Sequence, residues 1–160
     1  MKNKAFTIIE VLIAVAVITI GIMGILTTIQ QTVAYMALSS SRLVATYLAQ
    51  ECMEIVRNIR DTNWLNSRSW NDGLSSGDWE ADYNDLSLSF YGANLLKING
   101  GFYNYDIGNP TRFNRKITIS DPGPVACHGS ICLSVKVEVS WQQLAKTHQV
   151  ITEEYLYNWL

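Results

Sequence analysis

Four sets of side chains have the types and spacing to do chemistry. Glu10 is a carboxylate at the head of an apolar run, and residues 11–41 after it carry no charge at all. Cys127 and Cys132 bracket His128-Gly129-Ser130-Ile131, a spacing that suits a short-loop disulfide or, with His128, part of a zinc site. Asp78, Glu80, Asp82 and Asp85 alternate through Asp78-Trp79-Glu80-Ala81-Asp82-Tyr83-Asn84-Asp85, as the oxygen ligands of a calcium loop do. His128 and His148 are the two imidazoles that could serve a nucleophile as general base.

Most of this chemistry is poorly supported. Zinc sites pair their ligands in two clusters, and no second cluster accompanies Cys127, His128 and Cys132. Neither histidine sits in a hydrolase motif, so no enzymatic activity, catalytic residue or cofactor is expected. The acidic run lacks the sixth-position glycine and closing glutamate of an EF-hand. It reads as a solvated loop, with calcium on Asp78, Glu80, Asp82 and Asp85 as the alternative. Glu10 is left, together with the cysteine pair as a disulfide.

The element that positions Glu10 is the amino-terminal segment. Residues 6–29 are almost wholly apolar, and about 20 such residues span a hydrocarbon core as a helix. Lys2 and Lys4 precede the run and no basic residue follows until Arg42, which places the amino terminus in the cytoplasm and the rest outside. The run is too long for a secretory signal peptide and no A-x-A site closes it. A plain single-pass anchor would fit, but a carboxylate within the apolar helix costs roughly 2.5–3.5 kcal/mol at mid-membrane. A shallow Glu10 reaching the headgroups would lower that cost; a functional Glu10 would explain it.

The segment Lys4-Ala5-Phe6-Thr7-Ile8-Ile9-Glu10 resembles the class III signal of type IV prepilins. The resemblance covers the first thirty residues closely and the remaining layout more loosely. It implies a leader at residues 1–5, cleavage by a prepilin peptidase between Ala5 and Phe6, and methylation of the new Phe6 amine. Ala5 stands where the family usually has glycine. It also implies that Glu10, fifth after the cut, meets the Phe6 amine of a neighbouring subunit during assembly. Each charge alone is costly in an apolar bundle, and pairing offsets both penalties while favouring one axial register. Related secretion pseudopilins carry calcium in a loop, which keeps the acidic run in view.

The remaining elements fit the same layout. Gly21 and Gly24 interrupt the apolar run, either as small residues for close packing or as a point where the helix loosens. From Val44 to Ile59 apolar residues recur at helical spacing, with Glu54 and Arg57 placed to pair on the solvent side. This amphipathic half is expected over residues 31–61, breaking at Asp61-Thr62-Asn63 after a helix of roughly 80 Å. A globular head over 62–160 follows. It opens with an aromatic-pinned loop over about 61–94 and continues as a sheet over about 95–160. Expected strands are a hairpin at 95–98 and 102–105 about Asn99-Gly100-Gly101, then 115–120, 133–141 and 147–157. In 115–120 and 133–141 the apolar parity is clear; in 147–157 either face could be inward.

The expected fold is therefore α+β: a long amino-terminal helix, apolar then amphipathic, packed on a carboxy-terminal antiparallel sheet, as in type IV pilins. The resemblance implies a structural subunit of a pilus-like filament serving adhesion, motility or DNA uptake. Its partners would be other pilin subunits, the prepilin peptidase, an assembly platform and, before assembly, the membrane. It would move from the cytoplasmic membrane to a surface filament. A pseudopilin of a type II secretion or competence system is the near alternative, and an uncleaved membrane-anchored binding module the distant one. At 160 residues and a net charge of −2, with no basic stripe, the chain is not built for nucleic acid as its main ligand. Of the three cysteines, Cys52 lies on the apolar helix stripe and reads as a buried free thiol. A thiol titration of the unfolded, unreduced protein is accordingly expected to count one thiol, not three.

Overall fold

The computed structural model describes residues 7–129 and 131–158. The expected leader at residues 1–5, the expected cleavage between Ala5 and Phe6 and the expected methylation of Phe6 fall outside the described residues. Two compact units are present, Met1–Ser40 and Ser41–Leu160.

One helix, α1 (Ile8–Leu65), enters both units. In the first unit it is exposed on every side except at Ala34 and Leu38, which are half-buried. In the second, the expected stripe is buried: Ala45, Leu48, Ala49, Cys52, Ile55, Val56 and Ile59 are each less than a tenth exposed. The helix does not break at Asp61-Thr62-Asn63 but runs one further turn. Asn63 is buried there, and its Nδ2 donates to the carbonyls of Trp70 (3.2 Å) and Asp72 (2.7 Å). The end is a Schellman motif: Ser67 N–H donates to Trp64 O (2.9 Å) and Arg68 N–H to Asn63 O (2.9 Å). Ser67 takes the left-handed position at φ 54°, where glycine is usual.

Among the described residues the sheet has seven strands: β1 (Gly77–Glu80), β2 (Ser89–Phe90), β3 (Leu95–Asn99), β4 (Phe102–Asn104), β5 (Asn109–Ser120), β6 (Cys132–Gln143) and β7 (Lys146–Tyr157). All pairings are antiparallel. β5 is the hub. Along one edge it pairs first with β3 and then with β1; along the other it pairs β6 from Phe113↔Trp141 to Ser120↔Ser134. β5 is longer than expected because the β3–β4 hairpin extends its amino-terminal half, and the loop over 61–94 contributes β1 and β2. Trp70 and Leu74 from that segment are buried. A four-residue helix α2 (Gly123–Ala126) joins β5 to β6.

The face toward the helix is set by residue parity. Phe113, Arg115, Ile117 and Ile119 of β5 align with Trp141, Val139, Val137 and Val135 of β6, and all are buried. The register Val137↔Thr152 settles β7, whose inward residues are His148, Val150, Thr152, Glu154 and Leu156. Periodicity could not choose because Val150 and Ile151 are adjacent on an edge strand. Arg57 pairs with Glu54 as expected, and also with Glu154 across to β7, donating from Nε at 3.0 Å.

The β6–β7 turn carries two non-glycine residues in the left-handed region, Leu144 (φ 53°) and Ala145 (φ 57°). This is the conformation that two-residue hairpins require and that Asn-Gly usually supplies. Left-handed alanine carries a penalty of about 1 kcal/mol that glycine avoids. Ala145→Gly is therefore expected to stabilise the head by somewhat under ~1 kcal/mol, read as a higher urea midpoint by tryptophan fluorescence.

Candidate functional site

The apolar half of the helix begins with a cap. Thr7 Oγ1 accepts from Glu10 N–H at 3.3 Å, and Thr7 O accepts from the amides of Glu10 (3.1 Å) and Val11 (3.2 Å). Thr7-Ile8-Ile9-Glu10 has capping-box spacing, so the helix opens at Ile8, inside the hydrophobic run. The Glu10 carboxylate lies in the first turn, on the favourable side of the helix dipole. The side chains around it are apolar and uncovered: Ile9, Val11, Leu12, Ile13, Val17 and Ile20 are all more than half exposed.

The helix passes through Gly21 and Gly24 without a break. A Cβ at either glycine would meet nothing within 4 Å, so neither is explained by packing inside this chain. Hydroxyls take over part of the backbone bonding here. Thr27 and Thr28 both donate to Gly24 O at 2.9 Å, and Thr19 donates to Val15 O (3.0 Å) and Ala16 O (2.8 Å). Polar groups are thus folded inward along a surface that is otherwise hydrocarbon. The helix is long and apolar enough to cross a membrane.

Within the second unit the helix is held to the sheet by a residue that apolar periodicity does not single out. Arg115 sits on the inward parity of β5 with its side chain wholly buried. Its Nη1 donates to Glu51 Oε1 at 2.7 Å and to Leu48 O at 3.4 Å; its Nη2 donates to Ala81 O. Its own carbonyl accepts from Tyr105 Oη at 3.1 Å. The guanidinium therefore joins the helix, β5 and the segment after β1. Its Nε is buried without a hydrogen-bond partner. Burial pushes the neighbouring Cys52 thiol up to about 11, against the pull of Arg115, so it stays a neutral thiol at physiological pH.

The acidic run is dispersed among separate partners. Asp78 accepts from Thr118 Oγ1 (2.7 Å), Glu80 from Gly92 N–H (2.9 Å), Asp82 from Tyr105 N–H (3.0 Å) and Asp85 from Asp82 N–H (2.8 Å). Glu80, Asp82 and Asp85 border one shallow hollow, while Asp78 bonds across to β5. Among the described residues no three carboxylates, imidazoles or thiols are grouped as a metal would need. Burial raises the Asp82 carboxyl above its ordinary value, helped by Asp85 and opposed by the Tyr105 amide and Arg115. Cys127 and Cys132 are joined in a disulfide, with Cα atoms 5.7 Å apart, that closes the loop between α2 and β6.

Residues 1–26 match the family model described as the prokaryotic N-terminal methylation motif. That motif is the type IV prepilin signature, and the matched residues include Ala5, Phe6, Glu10 and most of the apolar helix half. No curated protein and no solved structure matches the chain significantly.

The buried guanidinium is the most sensitive point of the head. Arg115→Ala removes a buried ion-pair partner together with its packing, and a loss of about 3–5 kcal/mol is expected. Glu51 keeps 35% of its side chain in solvent. Glu51→Gln keeps an acceptor oxygen for Nη1 but removes the charge that pairs with Arg115, and should cost about 1 kcal/mol. Urea unfolding of the full chain in detergent, followed by tryptophan fluorescence, measures both.

Proposed function

We propose that this prepilin-like chain is a structural subunit of a type IV pilus-like filament. It is inserted in the cytoplasmic membrane with its head outside, cut between Ala5 and Phe6, and assembled through the helix that follows. One observation carries the reading: an apolar helix surface that no described residue of its own unit covers, opening on a capped turn that contains Glu10 and lying under the methylation motif. Before assembly, lipid buries that surface. In a filament, the helices of other subunits do so.

Glu10 supplies the register. A carboxylate in the first turn of a helix, beside a freed amine, is tolerable in an apolar bundle only when charge meets charge. In our reading the Phe6 amine of an adjacent subunit fills that role. Subunits that slip by a turn bury two unpaired ions. The partners are accordingly other pilin-type subunits, with a prepilin peptidase and an assembly platform acting earlier. A pseudopilin of a secretion or competence system uses the same helix in the same way.

Intact mass and amino-terminal sequencing of the protein from its native membrane should give a start at Phe6, with or without one added methyl. A start at Met1 in cells with an active prepilin peptidase would instead favour an uncleaved anchored module. Glu10→Ala should leave membrane insertion intact and reduce filament incorporation severely, measured by shearing filaments from cells and comparing sheared with membrane-bound protein. Normal incorporation of Glu10→Ala would sink the register role.

A further inference from the structure

We propose that the head carries a shallow binding site for a neutral sugar ring, between the loop after β1 and the β3–β4 hairpin. A hollow of about 260 Å³ lies there. One side is aromatic: the rings of Tyr83 and Phe102 stack with centroids 4.9 Å apart, and the two residues are 45% and 57% exposed. The other sides carry Asn84, Asn99 and the carboxylates of Asp82 and Asp106. The site lies wholly within the second unit and does not depend on how, or whether, the chain enters a filament.

The combination of groups selects the ligand class. Each ring of the stacked pair keeps one face that the other does not cover, and an exposed ring face suits the C–H face of a pyranose and leaves the sugar hydroxyls at its rim. Amide side chains both donate and accept, and carboxylates accept; together they match hydroxyls, which do both. Among the described residues the side chains of Asn84 and Asn99 make no hydrogen bond within the protein, so they are available to a ligand. Both charged side chains that line the hollow are acidic, which disfavours uronic and sialic acids. The volume holds about one ring, and its open form suits the end or edge of a longer chain.

The walls are held in place before any ligand arrives. Asp82, 8% exposed, accepts from Tyr105 N–H and ties the Tyr83 loop to the hairpin side. Ala81 just before it is fixed by the Arg115 guanidinium. On the opposite wall Asn104 Oδ1 accepts from the amides of Asp106 (3.0 Å) and Ile107 (2.8 Å). Gly108 lets this turn press against β3: a Cβ there would stand 2.3 Å from Ile98 O. Such prior ordering reduces the entropy lost on binding, which matters most for a small, exposed site.

The test uses the full chain in zwitterionic micelles, because sugar-headed detergents would compete. The probes are oligosaccharides of glucose, galactose, mannose and N-acetylglucosamine, with oligogalacturonate as the anionic comparison. Saturation-transfer NMR detects binding, and titration of the positive probe gives its affinity. At least one neutral oligosaccharide should bind, with oligogalacturonate silent. Tyr83→Ala and Phe102→Ala should each weaken it roughly tenfold, and Asn99→Ala should weaken it less. Phe102→Trp, which keeps a ring face, should retain binding and guards against reading a misfolded variant as a lost contact. Phe90→Ala, an exposed ring stacked on Trp79 outside the hollow, should change nothing. Silence from every neutral probe would overturn the proposal. So would equal weakening by Phe90→Ala, or binding that appears only when Ca²⁺ is added.

Discussion

A guanidinium buried between a helix and a sheet draws its acceptors from whatever surrounds it, and Arg115 brings three elements together to supply its two Nη atoms, leaving only Nε without a partner. Glu51 and the Leu48 carbonyl come from the helix, the Ala81 carbonyl from the segment after β1, and the residue itself from the central strand. Each donor satisfied fixes one more piece of backbone. A sliding of the helix along the sheet by one turn would move Glu51 and Leu48 O away together and strand the charge. Apolar contacts have no direction and tolerate small shifts; a buried fork of N–H donors does not. The hydrophobic stripe thus supplies attraction between helix and head, and Arg115 supplies their alignment.

Much of this architecture was legible in the sequence wherever a period runs for several repeats. The stripe from Val44 to Ile59 and the alternation from Leu133 to Trp141 are of that kind, and their elements appear close to where they were expected. Arg115 was not recognised because a charged residue at a strand's start reads as solvent-facing. Its shared parity with Phe113, Ile117 and Ile119 was the clue. The helix end was placed too early because Asp61, Thr62 and Asn63 look like a loop. What holds them helical is distant: Asn63 satisfies the carbonyls of Trp70 and Asp72. The strands β1 and β2 are four and two residues long, too short for any period to register.

At the functional end, the apolar run and the acid within it were evident from residue types alone, because uncharged stretches of this length are rare outside membranes. The start of the helix was harder to read. Thr7 and Glu10 have capping-box spacing, but Phe6 before them continues the hydrophobic run and hides the boundary. The acidic run read as a solvated loop, with calcium as the alternative; the local donors that take up its carboxylates one at a time had no sign in the sequence. The aromatic hollow had no linear signature: Tyr83 lies in the turn after β1 and Phe102 in β4, far apart in sequence.

The strand ends of the sheet bear on how copies of the chain can associate. At one margin β2 and β4 are two and three residues long, too brief to template another chain. At the other, β7 is long, but Glu154 points inward to Arg57 and Lys146 and Glu153 flank it with charge. Stacking by strand addition, the route by which exposed sheets aggregate, is disfavoured at both margins. In the filament proposed above, where copies of the chain lie side by side, that protection would be needed. On that reading self-association is left to the helix, whose packing can be reversed by returning the helix to lipid.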